Sequence, residues 1–381
     1  MDKKLGAING REITSSLIGL TDPQLYNIDS VVKTSLLTTL AGYLESDSIT
    51  VYGNAFADSK FLQTFLSYIL NDKRAAPRDF NLLLNFVSNG SVFHPNQDSN
   101  SYDCLVSFSG GIDSTAGLMY SLDAKRKVLP VWIGFGQKNE NRELAVVNEL
   151  CKKLNVQPWI IKLDLARYVD AGWSRWKSGI IPARNLLFAS IAAEIASRSN
   201  SPSVDILLCA HKEEITPVNT DKSQRFYDST TLLFNSAYKK NIRVTTPFYS
   251  YTKPEIVSYW SRYWTDRYGI SPGETTSCYL GNNCGSCKAC FNRAVAFTCS
   301  GYKNDHFLQD PFIDQSNTIW GGYITRFDSL ESERQLDILY SLNSHIDIAP
   351  PRIAKFVEYH YPHFRNAIKK RQKQIRNVLI S

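Results

Sequence analysis

The chain has 381 residues, of which 43% are hydrophobic and 21% charged, and this composition is typical of a folded globular protein rather than a disordered one. No apolar run is long enough to cross a bilayer and the first residues lack the apolar stretch of a signal peptide, so we expect a cytoplasmic protein without membrane contact. The net charge of +7 comes almost entirely from the last 17 residues, which carry six basic residues and no acid, so the rest of the chain is close to neutral and argues against nucleic acid as a partner.

Residues 1–101 are predicted to form an added N-terminal α+β region. Helical patterns cover residues 30–44 and 60–70, and residues 49–52 are typical of a strand. A polar linker at residues 96–101 closes the region. We interpret it as an extension that could dock a partner protein.

Residues 102–270 alternate short apolar runs with longer helical patterns. The predicted strands lie at 104–108, 128–135, 159–163, 204–209 and 242–244. The predicted helices lie at 114–122, 140–154, 184–196, 230–238 and 253–264. This alternation predicts the α/β class, with a doubly wound, parallel, five-stranded sheet.

The turn after the first predicted strand is the most informative segment of the chain. It leads directly into a helix, whose first N–H groups and positive dipole end suit an anion. Gly110 and Gly111 let the backbone approach that anion without a Cβ in the way. Hydroxyl groups that could donate to phosphates follow at Ser109, Ser114 and Thr115. We therefore predict that this glycine loop (residues 109–115) cradles a phosphate chain.

Asp113 is the unexpected residue in the glycine loop. A carboxylate beside phosphates is repulsive unless a divalent cation lies between them, which indicates Mg²⁺. The loop is not a Walker motif, because the Gly-Lys-Ser/Thr ending is missing. The structural alternative is a turn rich in serine and glycine that only caps the helix.

Five of the eight cysteines crowd into residues 278–299. Cys278, Cys284, Cys287 and Cys290 are close enough in sequence to form a tetrahedral, structural Zn²⁺ site, and we assign this segment to residues 271–300. An iron–sulfur cluster is the main competitor, since four thiolates serve either metal. Cys299 breaks the short spacing and is expected to be a free thiol.

Residues 301–381 form a C-terminal extension that becomes helical and basic toward its end. The basic residues are Arg365, Lys369, Lys370, Arg371, Lys373 and Arg376. Such a helix could contact an acidic partner, or its charges could simply face solvent. Six charges without interleaved aromatic residues fit the solvated face at least as well.

These motifs together resemble the 7-cyano-7-deazaguanine synthase (QueC) family of PP-loop ATP pyrophosphatases. The resemblance covers about residues 104–297, and its motifs occur in one order. They are residues 108–114, 134–137, 181–188, 252–255 and the cysteine segment from 276 to 290. The resemblance implies the PP-loop fold, zinc in the cysteine segment, and an ATP that is cleaved to AMP and pyrophosphate.

The resemblance also implies which residues act on the nucleotide and the substrate. Arg184 and Lys253, at predicted helix starts, would neutralise the α-phosphate and act as catalytic residues together with Asp113 and Ser114. The implied nucleotide-binding residues are Ser109, Gly110, Gly111, Asp113, Ser114, Thr115, Gln137, Arg184 and Asn185. Glu213 and Asp221 are implied to contact the deazapurine. A surface ion pair would explain Arg184 or Lys253 alone, and exposed loop acids would explain Glu213 and Asp221.

In the family, the carboxylate of 7-carboxy-7-deazaguanine attacks the α-phosphate of ATP, and an amine then displaces AMP from the acyl-adenylate. The housekeeping enzyme uses ammonia and activates a second time, converting the amide to a nitrile. This chain departs from the pattern by its two extensions and by Lys222 and Ser223 after Asp221, where the family has cysteine and arginine.

Both departures fit extended homologues that occur in bacterial anti-phage defence. Resemblance to these implies a carboxylate–amine ligase that joins the deazaguanine acid to an amine of a partner protein. The housekeeping synthase is the alternative function, and a PP-loop tRNA-modifying enzyme is the second alternative. The family tends to dimerise, although the extensions could replace that contact.

Overall fold

A computed structural model of the chain describes residues 3–18, 29–73, 76–88, 101–165, 181–278, 280–281, 283–303, 306–313 and 318–380. Within these ranges the chain forms two β-sheets flanked by helices, one sheet before residue 101 and one after it. None of the helices in these ranges combines the length and the apolar character needed to span a membrane.

The N-terminal sheet is mixed and has the strand order β2-β1-β3-β4. Its strands are β1 (Lys4–Ile8), β2 (Arg11–Thr14), β3 (Ser48–Tyr52) and β4 (Leu83–Val87). Two helices, α1 (Ser30–Tyr43) and α2 (Ser59–Leu70), accompany them. The sequence predicted β3 and both helices. Most of the predicted linker, residues 96–100, lies outside the described residues.

The hairpin between β1 and β2 was missed in the sequence. Asn9 and Gly10 form its turn, and both have positive φ, at 48° and 77°. An Asn-Gly pair is the strongest short-range hairpin signal, because both turn positions require left-handed backbone. The hairpin signal was therefore present in the sequence. Gly6 and the shortness of both strands obscured the alternation of apolar and polar residues around the turn.

The second sheet confirms the predicted doubly wound α/β architecture. All five strands are parallel, in the order β7-β6-β5-β8-β9. They are β5 (Cys104–Ser107), β6 (Val128–Gly134), β7 (Trp159–Lys162), β8 (Ser203–Leu207) and β9 (Asn241–Thr245). The order reverses between β5 and β8, and ligands of open α/β sheets bind at the carboxyl end of such a switch point.

Five helices connect or follow these strands, close to their predicted positions. They are α3 (Ile112–Asp123), α4 (Glu140–Lys153), α5 (Arg184–Arg198), α6 (Gln224–Tyr238) and α7 (Lys253–Tyr259). Helix α7 continues through a π-helical turn, Trp260–Trp264, into the short helix α8 (Thr265–Tyr268). The start of α6 was predicted too late, because the Ser223 side chain caps it by accepting a hydrogen bond from the backbone N–H of Phe226 at 3.2 Å.

The N-terminal region packs directly on the parallel sheet. Helix α1 lies against α5, where the Ser35 and Ser190 hydroxyl groups are 2.5 Å apart. At the end of α1, a Cβ on Gly42 would come within 2.4 Å of the Pro182 Cβ. One continuous apolar core includes residues of both sheets, such as Val51 and Val204. The division of the chain at residue 101 remains a prediction, and the two regions share this core.

The C-terminal extension is helical. Its helices are α10 (Thr318–Gly322), α11 (Ser332–Ser344) and α12 (Pro351–Asn377), and they follow α9 (Lys288–Ser300) of the cysteine segment. Helix α12 packs on α11, and both contact α9. Of the six basic residues in the last 17 of the chain, Arg371 is buried, whereas Arg365, Lys369, Lys370, Lys373 and Arg376 are exposed. The prediction of a solvated basic face was therefore wrong for Arg371.

Candidate active site

The glycine loop lies at the carboxyl end of β5, at the switch point of the parallel sheet. Gly110 has a φ of +67°, which glycine adopts without strain, and a Cβ there would lie 3.1 Å from the Val146 Cγ1. Helix α3 begins after Gly111 and has no capping side chain. The N–H groups of its first turn are thus left for an anion. Within the loop, the Ser109 and Ser114 hydroxyl oxygens are 3.3 Å apart.

Asp113 lies on the first turn of α3 and makes one ion pair. Its Oδ2 is 2.8 Å from the Nζ of Lys253. Its Oδ1 is buried and has no hydrogen-bond partner among the described residues, and the same is true of the Thr115 hydroxyl. A buried carboxylate oxygen without a partner is costly, and a divalent cation would satisfy it. The donor set therefore fits the Mg²⁺ that the sequence indicated.

Lys253 is held in place by the start of α7. Thr252 and Glu255 form a capping box there, in which Glu255 Oε2 accepts from the Thr252 backbone N–H at 2.8 Å. Burial alone would lower the pKa of Lys253, but the nearby carboxylates, Asp113 first, outweigh it and raise the pKa above its usual value. The lysine is thus a permanent positive charge beside the glycine loop.

Two glutamates after β8 face the same lysine. Glu213 is nearly buried, and its Oε2 accepts from the backbone N–H of Lys253 at 3.5 Å. Burial would raise the pKa of Glu213, but Arg334, His211 and Lys253 together lower it. Glu214 pairs with the Nζ of Lys222 at 2.7 Å. Both carboxylates are therefore held in the charged form.

The predicted Arg-Asn helix start is shaped by Ala183. This buried residue has a φ of +51°, which turns the chain into α5. Asn185 and Asp221 bind each other: the Asn185 side chain donates to the Asp221 carbonyl at 3.0 Å, and its backbone N–H lies 3.4 Å from Asp221 Oδ2. The Arg184 side chain makes no hydrogen bond or ion pair with a described residue. Burial raises the pKa of Glu143, and the charge of Arg184 partly offsets that increase.

Gln137 and Glu143 contact each other between the turn after β6 and helix α4. Gln137 Oε1 accepts from the Phe135 backbone N–H at 2.9 Å, and its Nε2 donates to Glu143 at 3.4 Å. Glu143 also accepts from Trp132 Nε1 at 2.9 Å. Burial raises the pKa of Glu143 to about 7, despite these donors. Through its two hydrogen bonds, Gln137 orders the turn after β6.

We expect Glu143→Gln to remove the contribution of this carboxyl group to the pH dependence of the free energy of unfolding. In the wild type the folded state holds the proton more tightly than the unfolded state, so the free energy of unfolding falls as pH rises from the usual 4.5 to about 7. The slope contributed by one group is at most about 1.4 kcal/mol per pH unit. Urea unfolding between these pH values measures it, with the exposed Glu149→Gln on the same helix as control. If the free energy of unfolding of Glu143→Gln falls with pH as steeply as that of the wild type, the raised pKa of Glu143 is contradicted.

The four predicted metal ligands come together. One Sγ atom from each of Cys278, Cys284, Cys287 and Cys290 lies within 4.8 Å of the others. Four thiolates this close together fit Zn²⁺, which prefers a tetrahedral set of such ligands, and the same sulfurs would also serve an iron–sulfur cluster. Cys299 lies apart in the core, with its Sγ 3.3 Å from the Asp337 carbonyl oxygen.

The cysteine segment is tied to the glycine loop. The Thr276 backbone N–H donates to the Gly110 carbonyl at 2.9 Å, and the Asn139 side chain donates to the Cys278 carbonyl at 3.0 Å. A metal that orders the four cysteines would therefore also order the residues that contact the glycine loop on this side.

Cys284→Ser is expected to remove the metal and to weaken both stability and ATP binding. A metal present at about 1,000 times its Kd contributes about 4 kcal/mol to the free energy of unfolding, and this contribution would be lost. Elemental analysis would count the metal and separate zinc from iron, and calorimetry would measure ATP affinity. Cys299→Ser, outside the cluster, should keep one metal site per chain. Full metal content in Cys284→Ser would refute the ligand assignment.

The structure thus brings the glycine loop, Lys253 and Glu213 to one edge of the sheet, and it pairs Asn185 with Asp221.

Sequence reasoning missed two residues that approach this edge from the extensions. Tyr43 of α1 is buried near Arg184. Burial raises the pKa of Tyr43, and the charge of Arg184 partly offsets that increase. Arg334 of α11 reaches Glu213. Neither lies in a recognisable local motif.

The glycine loop, Glu213, Lys253 and the four clustered cysteines all lie within one family match. The model of the family described as queuosine biosynthesis protein QueC matches residues 103–301. A 7-cyano-7-deazaguanine synthase of Nautilia profundicola is 26% identical over 219 residues, which cover 52% of this chain and 95% of that protein. The 7-cyano-7-deazaguanine synthase of Methanobrevibacter smithii is 27% identical over 229 residues, with the same shares. That of Staphylococcus haemolyticus is 26% identical over 213 residues, 51% of this chain and 92% of the relative.

Proposed function

This chain belongs to the QueC family, and from that premise we propose that it is an ATP-dependent enzyme that adenylates the carboxylate of 7-carboxy-7-deazaguanine and transfers the acyl group to an amine. The relatives are named 7-cyano-7-deazaguanine synthases, which supports the substrate class. One observation carries the proposal: at the switch point of the sheet, Lys253 at the start of α7 pairs with Asp113 of the glycine loop.

In the first step, a carboxylate oxygen of the substrate attacks the α-phosphorus of ATP. The bond to the β-phosphate breaks, and pyrophosphate leaves with the electron pair. The first-turn N–H groups of α3 and the ammonium of Lys253 would stabilise the charge that develops on the phosphate oxygens. Asp113 would hold the Mg²⁺ that offsets the negative charge of the triphosphate. Ser114 and Arg184 are further proposed catalytic residues, and Gln137 and Asn185 are proposed to line the nucleotide.

In the second step, an amine nitrogen attacks the acyl carbon, AMP leaves, and the nitrogen loses a proton, giving an amide. Water must be excluded, since it would hydrolyse the acyl-adenylate. Glu213 and Asp221 are proposed to accept hydrogen bonds from the N–H edge of the deazapurine. Asp221 Oδ2 lies 3.4 Å from the Asn185 backbone N–H, and no donor from the described part of the chain reaches Oδ1, which would accept from the ligand.

We further propose that the amine belongs to a partner protein, as in anti-phage defence. The chain contains nearly the whole length of its shorter relatives and adds a region on each side, which supports an additional docking task. The housekeeping reaction with ammonia, ending in the nitrile, fits the names of the relatives equally well. The two proposals differ in the acceptor and in the product.

Incubation with ATP, 7-carboxy-7-deazaguanine and the products of neighbouring genes tests the proposal. Substrate-dependent ATP–pyrophosphate exchange is expected, together with a mass shift on one partner protein by intact-protein mass spectrometry. Free nitrile formed with ammonia, without a mass shift on any partner, would reject the protein acceptor. Absence of exchange with this acid would reject the adenylation itself.

A further inference from the structure

Arg334 of α11 contacts the candidate active site from outside the family match. The match ends at residue 301, whereas α11 is Ser332–Ser344. The Nη1 of Arg334 lies 3.4 Å from Glu213 Oε1, and the two side chains are only 12% and 10% exposed. The guanidinium also donates to Asn292 Oδ1 and lies 5.5 Å from the centre of the Tyr323 ring. The arginine is therefore fixed at this point by three contacts.

The charges around Lys253 balance only if Arg334 is included. Asp113 pairs with Lys253 at 2.8 Å, Glu214 with Lys222 at 2.7 Å, and Glu213 with Arg334 at 3.4 Å. Glu213 is also the carboxylate that accepts from the Lys253 backbone N–H. Glu213 Oε2 also lies 3.4 Å from His211 Nδ1, but a histidine carries a charge only when it is protonated. Without Arg334, a nearly buried negative charge would therefore lie beside the lysine without its permanently charged partner, which is costly.

We propose that Arg334 is a positioning residue: by pairing with Glu213, it leaves the Lys253 ammonium directed at Asp113 and the glycine loop. Without it, Glu213 would compete for Lys253 and draw the ammonium away from the phosphates. The C-terminal extension is thereby part of what makes the nucleotide site competent in this chain. The adenylation assay below depends on the proposed function, whereas the measurement of ATP binding does not.

The test compares Arg334→Met with the double variant Arg334→Met/Glu213→Gln. The single variant is expected to bind MgATP roughly tenfold more weakly and to lose up to about 10²-fold in exchange rate, the cost of a misplaced catalytic group. Removal of the Glu213 charge should restore most of the affinity for MgATP. Rescue is measured by this affinity alone, because Glu213 is itself proposed to contact the deazapurine. Arg365→Met, an exposed arginine of the same extension, is the matched control.

Three results would overturn the proposal. Wild-type ATP affinity in Arg334→Met would show that the pair is not needed, and an equally weak double variant would show that charge competition is not the cause. A loss of the same size in Arg365→Met would show that the effect is not local. If the methionine variant does not fold, Arg334→Gln replaces it, because glutamine keeps a donor for Asn292. Wild-type protein that binds MgATP but shows no exchange would reject the proposed reaction and leave this inference standing.

Discussion

Lys253→Met is expected to lower the rate of substrate-dependent ATP–pyrophosphate exchange by about 10²–10³-fold, the usual loss on removing one group that stabilises transition-state charge. The ammonium lies 2.8 Å from Asp113 and beside the first turn of α3, where the phosphates would bind. Its raised pKa keeps it charged throughout the physiological range, so the loss should not depend on pH between 6 and 9.

The exchange rate should be measured at saturating ATP and acid, so that a loss of kcat is separated from weaker binding. Lys152→Met, an exposed lysine on α4, controls for the loss of a surface charge. Asp113→Asn should be similarly impaired, and combining it with Lys253→Met should cost little more, since the two side chains act as a pair. Additive losses, or a Lys253→Met rate within a few-fold of the wild type, would remove Lys253 from the catalytic role.

The parallel sheet could be predicted because its signals are local. The three central strands β5, β6 and β8 are short runs buried on both faces, and helix starts carry their own sequence signals, as at Gly111 and Thr252. The N-terminal sheet was predicted only in part. Its edge strands β2 and β4 are short and half exposed, so their residues show no continuous apolar run.

Residues joined by sequence-distant contacts could not be predicted in the same way. Asn185 and Asp221 were each assigned to a ligand, but their contact with one another depends on how the start of α5 meets the turn that contains Asp221. Arg334 lies in no recognisable motif, and its contact with Glu213 follows only from the packing of α11. Arg371 did carry a signal. It continues the buried face of α12 that includes Val357, Ile368 and Ile375, at helical spacing, where a basic residue indicates a buried partner.

Arg371→Met is expected to lower the free energy of unfolding by about 3–5 kcal/mol, the usual cost of breaking a buried ion pair by removing one partner. Arg371 and Asp337 are 1% and 0% exposed, and the guanidinium reaches both carboxylate oxygens of Asp337, at 3.1 and 3.2 Å. It also donates to Glu255 at 2.7 Å and to the Thr252 hydroxyl at 2.5 Å. Arg371 therefore links α12 to the capping box at the start of α7, where Lys253 lies.

Urea unfolding measures this loss as a lower midpoint at an unchanged slope. The exposed neighbour Lys370→Met should remain within about 0.5 kcal/mol of the wild type. Asp337→Asn combined with Arg371→Met should recover part of the loss, because no unpaired charge is then left in the core. If instead the double variant were less stable than Arg371→Met alone, the buried charge of Asp337 would not be the source of the loss, and the contacts to Thr252 and Glu255 would have to account for it.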